Sequence, residues 1–317
     1  MKIVILDGYA VNPGDLSWEF LNPFGEVVVY DRTPAELAIE RAAGADILLT
    51  NKTLITEELL AACPTVKLIC VLATGYNVVD CAAARARNIP VCNVPAYSTH
   101  SVAQMTFALL LELCNRVGHH SGAVHNGAWC RSQDFCFWDY PQMELSGKTM
   151  GIIGFGQIGR AVGMIAKAMG MRVLAYNRSR CAEGEAIGEY VDLDTLLTQA
   201  DVVSLHCPLT ELTAGIISAA ALAKMKDGAI LLNTARGPLV DEQAVANALR
   251  SGKLRGFGAD VISAEPMLDT NPLLGAPNCI LTPHIAWAPL EARKRIMACT
   301  QRSIEGFLSG NPVNVVN

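Results

Sequence analysis

The stretch that most constrains this chain is Thr149–Arg160, read Thr-Met-Gly-Ile-Ile-Gly-Phe-Gly-Gln-Ile-Gly-Arg. A short apolar run, the length of one buried strand, enters Gly-x-Gly-x-x-Gly, and a helical pattern follows from Arg160 to Met169. Gly154 permits a tight turn, Gly156 lets the backbone approach a diphosphate, and Gly159 lets the helix lie close on its strand. Free N–H groups and the dipole at the helix start favour negative charge there. A strand, turn and helix of this kind belong to a parallel sheet that binds a dinucleotide at its carboxyl edge.

The remaining chain supplies two sets of strands for such sheets. The first set is Lys2–Leu6, Val27–Tyr30, Asp46–Thr50, Leu68–Leu72 and Val91–Asn93. The second is Thr149–Ile153, Arg172–Tyr176, Val202–Leu205, Ala229–Asn233, Gly256–Asp260 and Cys279–Leu281. Amphipathic stretches alternate with them, the mark of βαβ units. The expected fold class is therefore α/β, with two doubly wound parallel-sheet domains. One is a Rossmann nucleotide-binding domain and the other a discontinuous, flavodoxin-like substrate domain. Ser98-Thr99 can cap a helix from about Ser101 to Asn115, which marks the first boundary. Pro289 opens a last helix to Leu308 with no strand after it, so it returns to the N-terminal sheet. The expected domains are 1–98 plus 289–317, and 99–288.

Composition narrows the partners. A net charge of −5 gives no basic field for a phosphate backbone, which argues against nucleic acid. No apolar run is long enough to span a bilayer, and the N-terminus reads as a strand rather than a leader, so no membrane partner is expected. Eleven cysteines, without a Cys-x-x-Cys pair, suit reduced thiols in a cytoplasmic protein. No Cys, His or acidic cluster has metal-site spacing, so no metal is expected.

Cofactor choice is read at Tyr176-Asn177-Arg178-Ser179-Arg180. An NAD site usually has an acidic residue ~20 positions beyond the glycines to bind the ribose 2′-hydroxyl. Asn177 stands there instead, followed by Arg178 and Arg180. A carboxylate would repel a 2′-phosphate, whereas guanidinium groups pair with it, so NADP is favoured over NAD.

Three further strand ends each carry one polar group amid apolar or small residues: Arg236 in Asn-Thr-Ala-Arg-Gly, Glu265 in Ser-Ala-Glu-Pro, and His284 in Thr-Pro-His-Ile. Groups at carboxyl ends of strands can converge beside a bound nicotinamide. Their chemistry suits a 2-oxo acid substrate. Arg236 can grip and polarise it, His284 can pass a proton to the carbonyl oxygen, and Glu265 can fix the histidine's tautomer. His119, His120 and His125 lie in a polar stretch read as solvated. His206 precedes Cys207-Pro208, whose backbone is expected to line the cofactor groove. Trp129 to Tyr140 carries five of nineteen aromatic residues, which must pack on their own domain, meet a second subunit or serve as an active-site arm.

Taken together, Gly154–Gly159, His206–Thr210, Asn233–Gly237, Asp260–Pro266 and Pro283-His284 resemble the D-isomer-specific 2-hydroxyacid dehydrogenase family over nearly the whole chain. Trp129–Pro141 and Trp287 look most like its glycerate dehydrogenase (hydroxypyruvate reductase) branch. The resemblance implies NAD(P)H-dependent reduction of hydroxypyruvate or glyoxylate to a D-2-hydroxy acid, by a homodimer. It also implies that backbone N–H groups of Thr74 and Gly75 hold the substrate carboxylate. It extends the cofactor set to Gln157, Ile158, Cys207, Pro208, Thr213 and Ala235, with Thr234 and Asp260 on the nicotinamide side. Phosphoglycerate and D-lactate dehydrogenases remain alternatives, as does a dinucleotide-sensing corepressor on the same fold.

Overall fold

Runs of β-branched and leucine residues buried on both faces make the inner strands, as parallel sheets covered by helices require. The computed structural model describes residues 1–317. It divides into two units, Met1–Ser98 with Trp287–Asn317, and Thr99–Ala286.

In the first unit, β1 (Lys2–Ile5), β2 (Glu26–Val29), β3 (Ile47–Thr50), β4 (Leu68–Val71) and β5 (Val91–Cys92) are all parallel. Their order, β2-β1-β3-β4-β5, is the flavodoxin-like one. The helix Leu290–Leu308 buries Ala292, Ile296 and Ile304 in one cluster with Ile3, Ile47 and Leu68. Arg293 is only 8% exposed on that face. Its Nη1 and Nη2 each donate to Asp15 at 2.6 Å, and Nε donates to Ala288 O at 2.8 Å. The last residues then run along β5. Val316 N–H donates to Val91 O at 2.9 Å and Asn93 N–H to Asn314 O at 3.1 Å, covering what would otherwise be an open sheet edge.

In the second unit, β6 (Thr149–Ile153), β7 (Arg172–Tyr176), β8 (Glu189–Tyr190), β9 (Val202–Leu205), β10 (Ala229–Asn233), β11 (Leu254–Ala259) and β12 (Cys279–Leu281) form a second all-parallel sheet. The order β12-β11-β10-β9-β6-β7-β8 is that of a Rossmann sheet, whose direction of winding reverses between β6 and β9. The edge strand β8 was not expected; two residues give no hydropathy pattern. The helix Thr99–Asn115 lies on β10 and β11. Its close approach explains the Gly-Phe-Gly of β11: a Cβ on Gly256 would sit 2.8 Å from Leu113.

One expectation is refined here, and one open choice narrows. His119 and His120 are not merely solvated: His119 Nε2 pairs with Asp139 at 2.6 Å, and Asp139 N–H donates to His120 Nε2 at 3.2 Å. They tie a second, short helix, Val117–His125, to the aromatic segment beyond it. That segment does not bury its load on its own unit, since Phe135 is 89% and Trp138 65% exposed. No helix is long and apolar enough to cross a membrane.

Two stability effects follow. The Arg293 guanidinium holds the Asp15 carboxyl below its usual range. Asp15→Ala leaves a buried cation without its partner, whereas Arg293→Met removes the need for one. Thermal unfolding should therefore show the larger loss in Asp15→Ala, and the reverse order would refute the assignment. Beyond β9, His206 places Nε2 2.8 Å from Ser204 Oγ, and its buried Nδ1 has no partner. Burial pushes this imidazole from 6.5 down to about 3. The unfolded chain thus binds a proton that the folded chain refuses between those values, so stability falls as pH falls across that span. In His206→Gln the fall in Tm should be shallower; equal slopes would show that another group governs it.

Candidate active site

The cofactor cradle begins where β6 ends. Gly154 has φ +94°, and a Cβ there would lie 2.2 Å from Cys207 N, so the turn rests directly on the loop after β9. A Cβ on Gly159 would strike Gly154 O at 2.2 Å, which is why the helix can start so close to its strand. At Gly156 nothing lies within 4 Å of an added Cβ. This residue is the N-cap of the helix Gln157–Ala168, and no side chain caps it. The first N–H groups of that helix, at Gln157 and Ile158, have no intrahelical partner by geometry. An open floor with unpaired donors fits a dinucleotide diphosphate.

The turn after β7 bears on the far end of such a ligand. Asn177 Oδ1 accepts from Phe155 N–H at 3.1 Å and its Nδ2 donates to Ser179 O at 2.8 Å. The amide therefore ties the glycine turn to the Arg178–Arg180 turn and brings no negative charge. Arg178 is exposed without an ion-pair partner, while the Arg180 guanidinium lies 5.7 Å from the Tyr190 ring centroid. Arg160 adds a third cation, with Nη1 3.4 Å from Phe155 O.

Across the winding reversal, Cys207 is buried beneath Gly154, and burial pushes its thiol up. Thr213 Oγ1 donates to Pro208 O at 2.6 Å and accepts from Thr210 N–H at 2.8 Å, so it folds this loop on itself. Thr106 gives its hydroxyl proton to Val102 O at 2.8 Å, so Thr234 must be the donor in their 2.9 Å contact. That leaves the Thr234 oxygen as an acceptor. Ala235 N–H donates to Asn233 Oδ1 at 3.1 Å, and Asn233 Nδ2 donates to Arg236 O at 2.8 Å, so one buried amide shapes the turn carrying Arg236.

Arg236, Glu265 and His284 sit on adjoining loops of this edge. Gly237 lies against the backbone of Ile262, where a Cβ would come within 1.9 Å of its carbonyl carbon. The Arg236 turn and the Glu265 turn are therefore in main-chain contact. Arg236 is exposed and has no acidic partner; its Nη1 donates only to Ala235 O, at 2.7 Å. His284 Nδ1 lies 2.7 Å from Glu265 Oε2. This contact places the ring proton on Nδ1 and leaves Nε2 without a hydrogen bond in the chain. His284 itself has φ +55°. Asp260 holds that conformation: Oδ1 accepts from Thr282 Oγ1 at 2.5 Å and Ile285 N–H at 2.9 Å, and Oδ2 from Ala286 N–H at 2.7 Å. Glu242 braces the neighbouring loop, accepting from Ser263 N–H at 2.6 Å.

In the first unit, Thr74 and Gly75 follow β4 with backbone N–H groups that make no hydrogen bond in the chain. Thr74 Oγ1 donates to Val94 O at 2.8 Å. The sequence reading missed the residues that brace these loops, Asn233, Glu242, Asp7, Asn51 and Asn93. The one signal available was a polar residue directly after an apolar strand, present for all of these but Glu242.

Comparison with known proteins identifies relatives over the whole chain. Residues 107–286 match the family model "D-isomer specific 2-hydroxyacid dehydrogenase, NAD binding domain". The hydroxypyruvate reductase of Blautia hydrogenotrophica is 55% identical, with 100% of both chains covered. The glycerate dehydrogenase of Methylorubrum extorquens is 41% identical over 99% of this chain and 98% of its own. Among solved structures, the D-lactate dehydrogenase of Aquifex aeolicus, complexed with NAD and lactic acid, superimposes with a TM-score of 0.84 at 30% identity, covering 100% of each chain.

Proposed function

This chain belongs to the D-isomer-specific 2-hydroxyacid dehydrogenases and is an oxidoreductase, and on that footing we propose that it reduces hydroxypyruvate, and the smaller glyoxylate, with NADPH preferred to NADH. The observation that carries the reading is the His284–Glu265 pair beside an unpaired Arg236, on loops fastened together at Gly237.

The chemistry divides among these residues. A bound nicotinamide would supply the hydride that C2 of the 2-oxo acid needs. His284 gives the matching proton from Nε2 to the carbonyl oxygen, which completes the hydroxyl group, and the neutral ring remains bonded to Glu265 through Nδ1. Glu265 stabilises the imidazolium before transfer and keeps the ring from turning. Arg236 polarises the substrate, and the free N–H groups of Thr74 and Gly75 take its carboxylate. Gly154, Gly156 and Gly159 with Gln157 and Ile158 would hold the diphosphate. Cys207, Pro208, Thr213, Thr234, Ala235 and Asp260 would border the nicotinamide side.

Preference for NADPH rests on charge at the adenosine end. Asn177 spends its amide on Phe155 and Ser179 and offers no carboxylate to repel a 2′-phosphate, while Arg178 and Arg180 stand beside it. Phosphate pairs strongly with guanidinium. The exposed aromatic arm from Trp129 to Tyr140 suits burial against a second copy of the chain in a homodimer.

Absorbance decay of NADPH and NADH with hydroxypyruvate, glyoxylate and pyruvate tests the reading. The fastest decay is expected with hydroxypyruvate and NADPH, and no decay with any of the three would reject the substrate assignment. His284→Gln should lower kcat by about 10²–10⁴-fold, the usual worth of general acid–base catalysis, without changing the Kd for NADPH. Retained turnover would remove histidine from the mechanism. The double variant Arg178→Ala with Arg180→Ala should raise KM for NADPH far more than for NADH. Equal rises would show that the turn does not read the 2′-phosphate.

A further inference from the structure

We propose that Asn93, with Asn51 on the opposite side, is the positioning residue that makes the N–H groups of Thr74 and Gly75 converge on a carboxylate. The inference rests on the reading above that this loop takes the substrate's carboxylate.

It follows from three successive carbonyls. Leu72 still behaves as a strand residue: its N–H donates to Thr50 O at 2.8 Å, and its carbonyl, on that same side, accepts from Asn51 Nδ2 at 2.9 Å. Ala73 then turns its carbonyl to the other side, where Val94 N–H donates to it at 3.0 Å. In a continuing strand the Thr74 carbonyl would swing back. It does not, because Asn93 Nδ2 donates to Thr74 O at 2.8 Å and keeps it toward the end of β5. Two consecutive carbonyls therefore point the same way.

Peptide planarity converts this into a binding feature. In a trans peptide the carbonyl and the next residue's N–H point in opposite directions. With Ala73 O and Thr74 O both drawn toward β5, the N–H groups of Thr74 and Gly75 are both thrown to the other side. Neither has a partner in the chain. Adjacent N–H groups on one side form a small concavity for anions. The Asn93 amide makes the bond that holds the Thr74 carbonyl itself; with normal alternation restored, only one of the two donors would face there.

The amides are held firmly enough to do this. Asn93 is 9% exposed, and its own N–H is fixed on Asn314 O at 3.1 Å. Asn51 is 4% exposed, with its N–H on Asp7 Oδ1 at 2.7 Å. Thr74 Oγ1 adds a bond to Val94 O on the same side as its carbonyl.

The test is steady-state kinetics with hydroxypyruvate, together with inhibition by oxamate, an unreactive 2-oxo acid mimic. A carboxylate contact is made equally in ground and transition states, so its loss raises KM and leaves kcat unchanged. Asn93→Ala should raise KM for hydroxypyruvate and the oxamate inhibition constant together by about tenfold, or about 1.4 kcal/mol. Its kcat and its Kd for NADPH should stay within about twofold. Asn93→Ser, which leaves a smaller hole, should give the same shift if the alanine variant folds poorly. A lowered Tm with unchanged KM and oxamate inhibition would make Asn93 a purely structural amide and overturn the proposal. Gly75→Pro, which deletes one of the two donors, separates this from the premise. If it leaves oxamate inhibition intact, the loop does not take the carboxylate. If it abolishes inhibition while both Asn93 variants retain it, the loop reading stands and the proposal alone fails.

Discussion

The dinucleotide edge depends on a contact between main chains, Gly154 against Cys207. A β-carbon would lie 2.2 Å from the Cys207 nitrogen, so only glycine lets the turn after β6 rest on the loop after β9. These two strands flank the point where the sheet's winding reverses, and there the loops diverge and leave a crevice. Gly237 against Ile262 repeats the device between the loops after β10 and β11. Because backbones touch, the four loops cannot move independently by side-chain rearrangement. Arg236 and Glu265 inherit a fixed spacing from that contact, which suits groups that must meet one small substrate.

The first unit has the same kind of reversal, between β1 and β3, but closes it. Asp7, at the end of β1, accepts the N–H groups of Asn51, Lys52 and Thr53 at 2.7, 2.5 and 2.7 Å. Hydrogen bonds to a carboxylate are worth about 1.5–3 kcal/mol each, so three of them lace this crevice shut. The usual ligand position is thereby filled by the protein's own loop. The free donors appear one strand further on, after β4, where Asn51 and Asn93 hold the backbone from either side. A sheet of flavodoxin-like order thus presents its unpaired N–H donors beside the reversal rather than in it.

This division also explains what could be read from the residues alone. Strands of four or five buried apolar residues were legible, and so was the glycine motif, because each is a local pattern. Strand β8, two residues long, was not. Arg236, Glu265 and His284 stood out as polar interruptions at strand ends. The bracing role of most supporting residues did not, because their partners are backbone groups far away in sequence, Asn233 with its bonds two and three positions on being the exception. Asp7 reaches across 44 to 46 positions and Asp260 across 25 and 26. Every residue carries an N–H, so no side-chain pattern announces which one a buried carboxylate will take. His119 and His120 read as solvated for a related reason, since their shared partner Asp139 lies 20 and 19 positions away.

Asp260 shows how such a brace decides the state of the catalytic edge. A histidine in the left-handed region costs about 1–3 kcal/mol. Against this, Asp260 accepts three hydrogen bonds from Thr282, Ile285 and Ala286, each of the charge-assisted kind and each worth about as much as the whole strain. The bracing exceeds the strain severalfold, so the His284 turn is held before any substrate arrives. A carboxylate has about four acceptor directions, and three are occupied: two on Oδ1 and one on Oδ2. The remaining direction, on Oδ2, is the only one left for a ligand amide. Asp260 therefore couples the two jobs: any ligand group that takes its last acceptor position bonds to the same carboxylate that fixes the His284 turn.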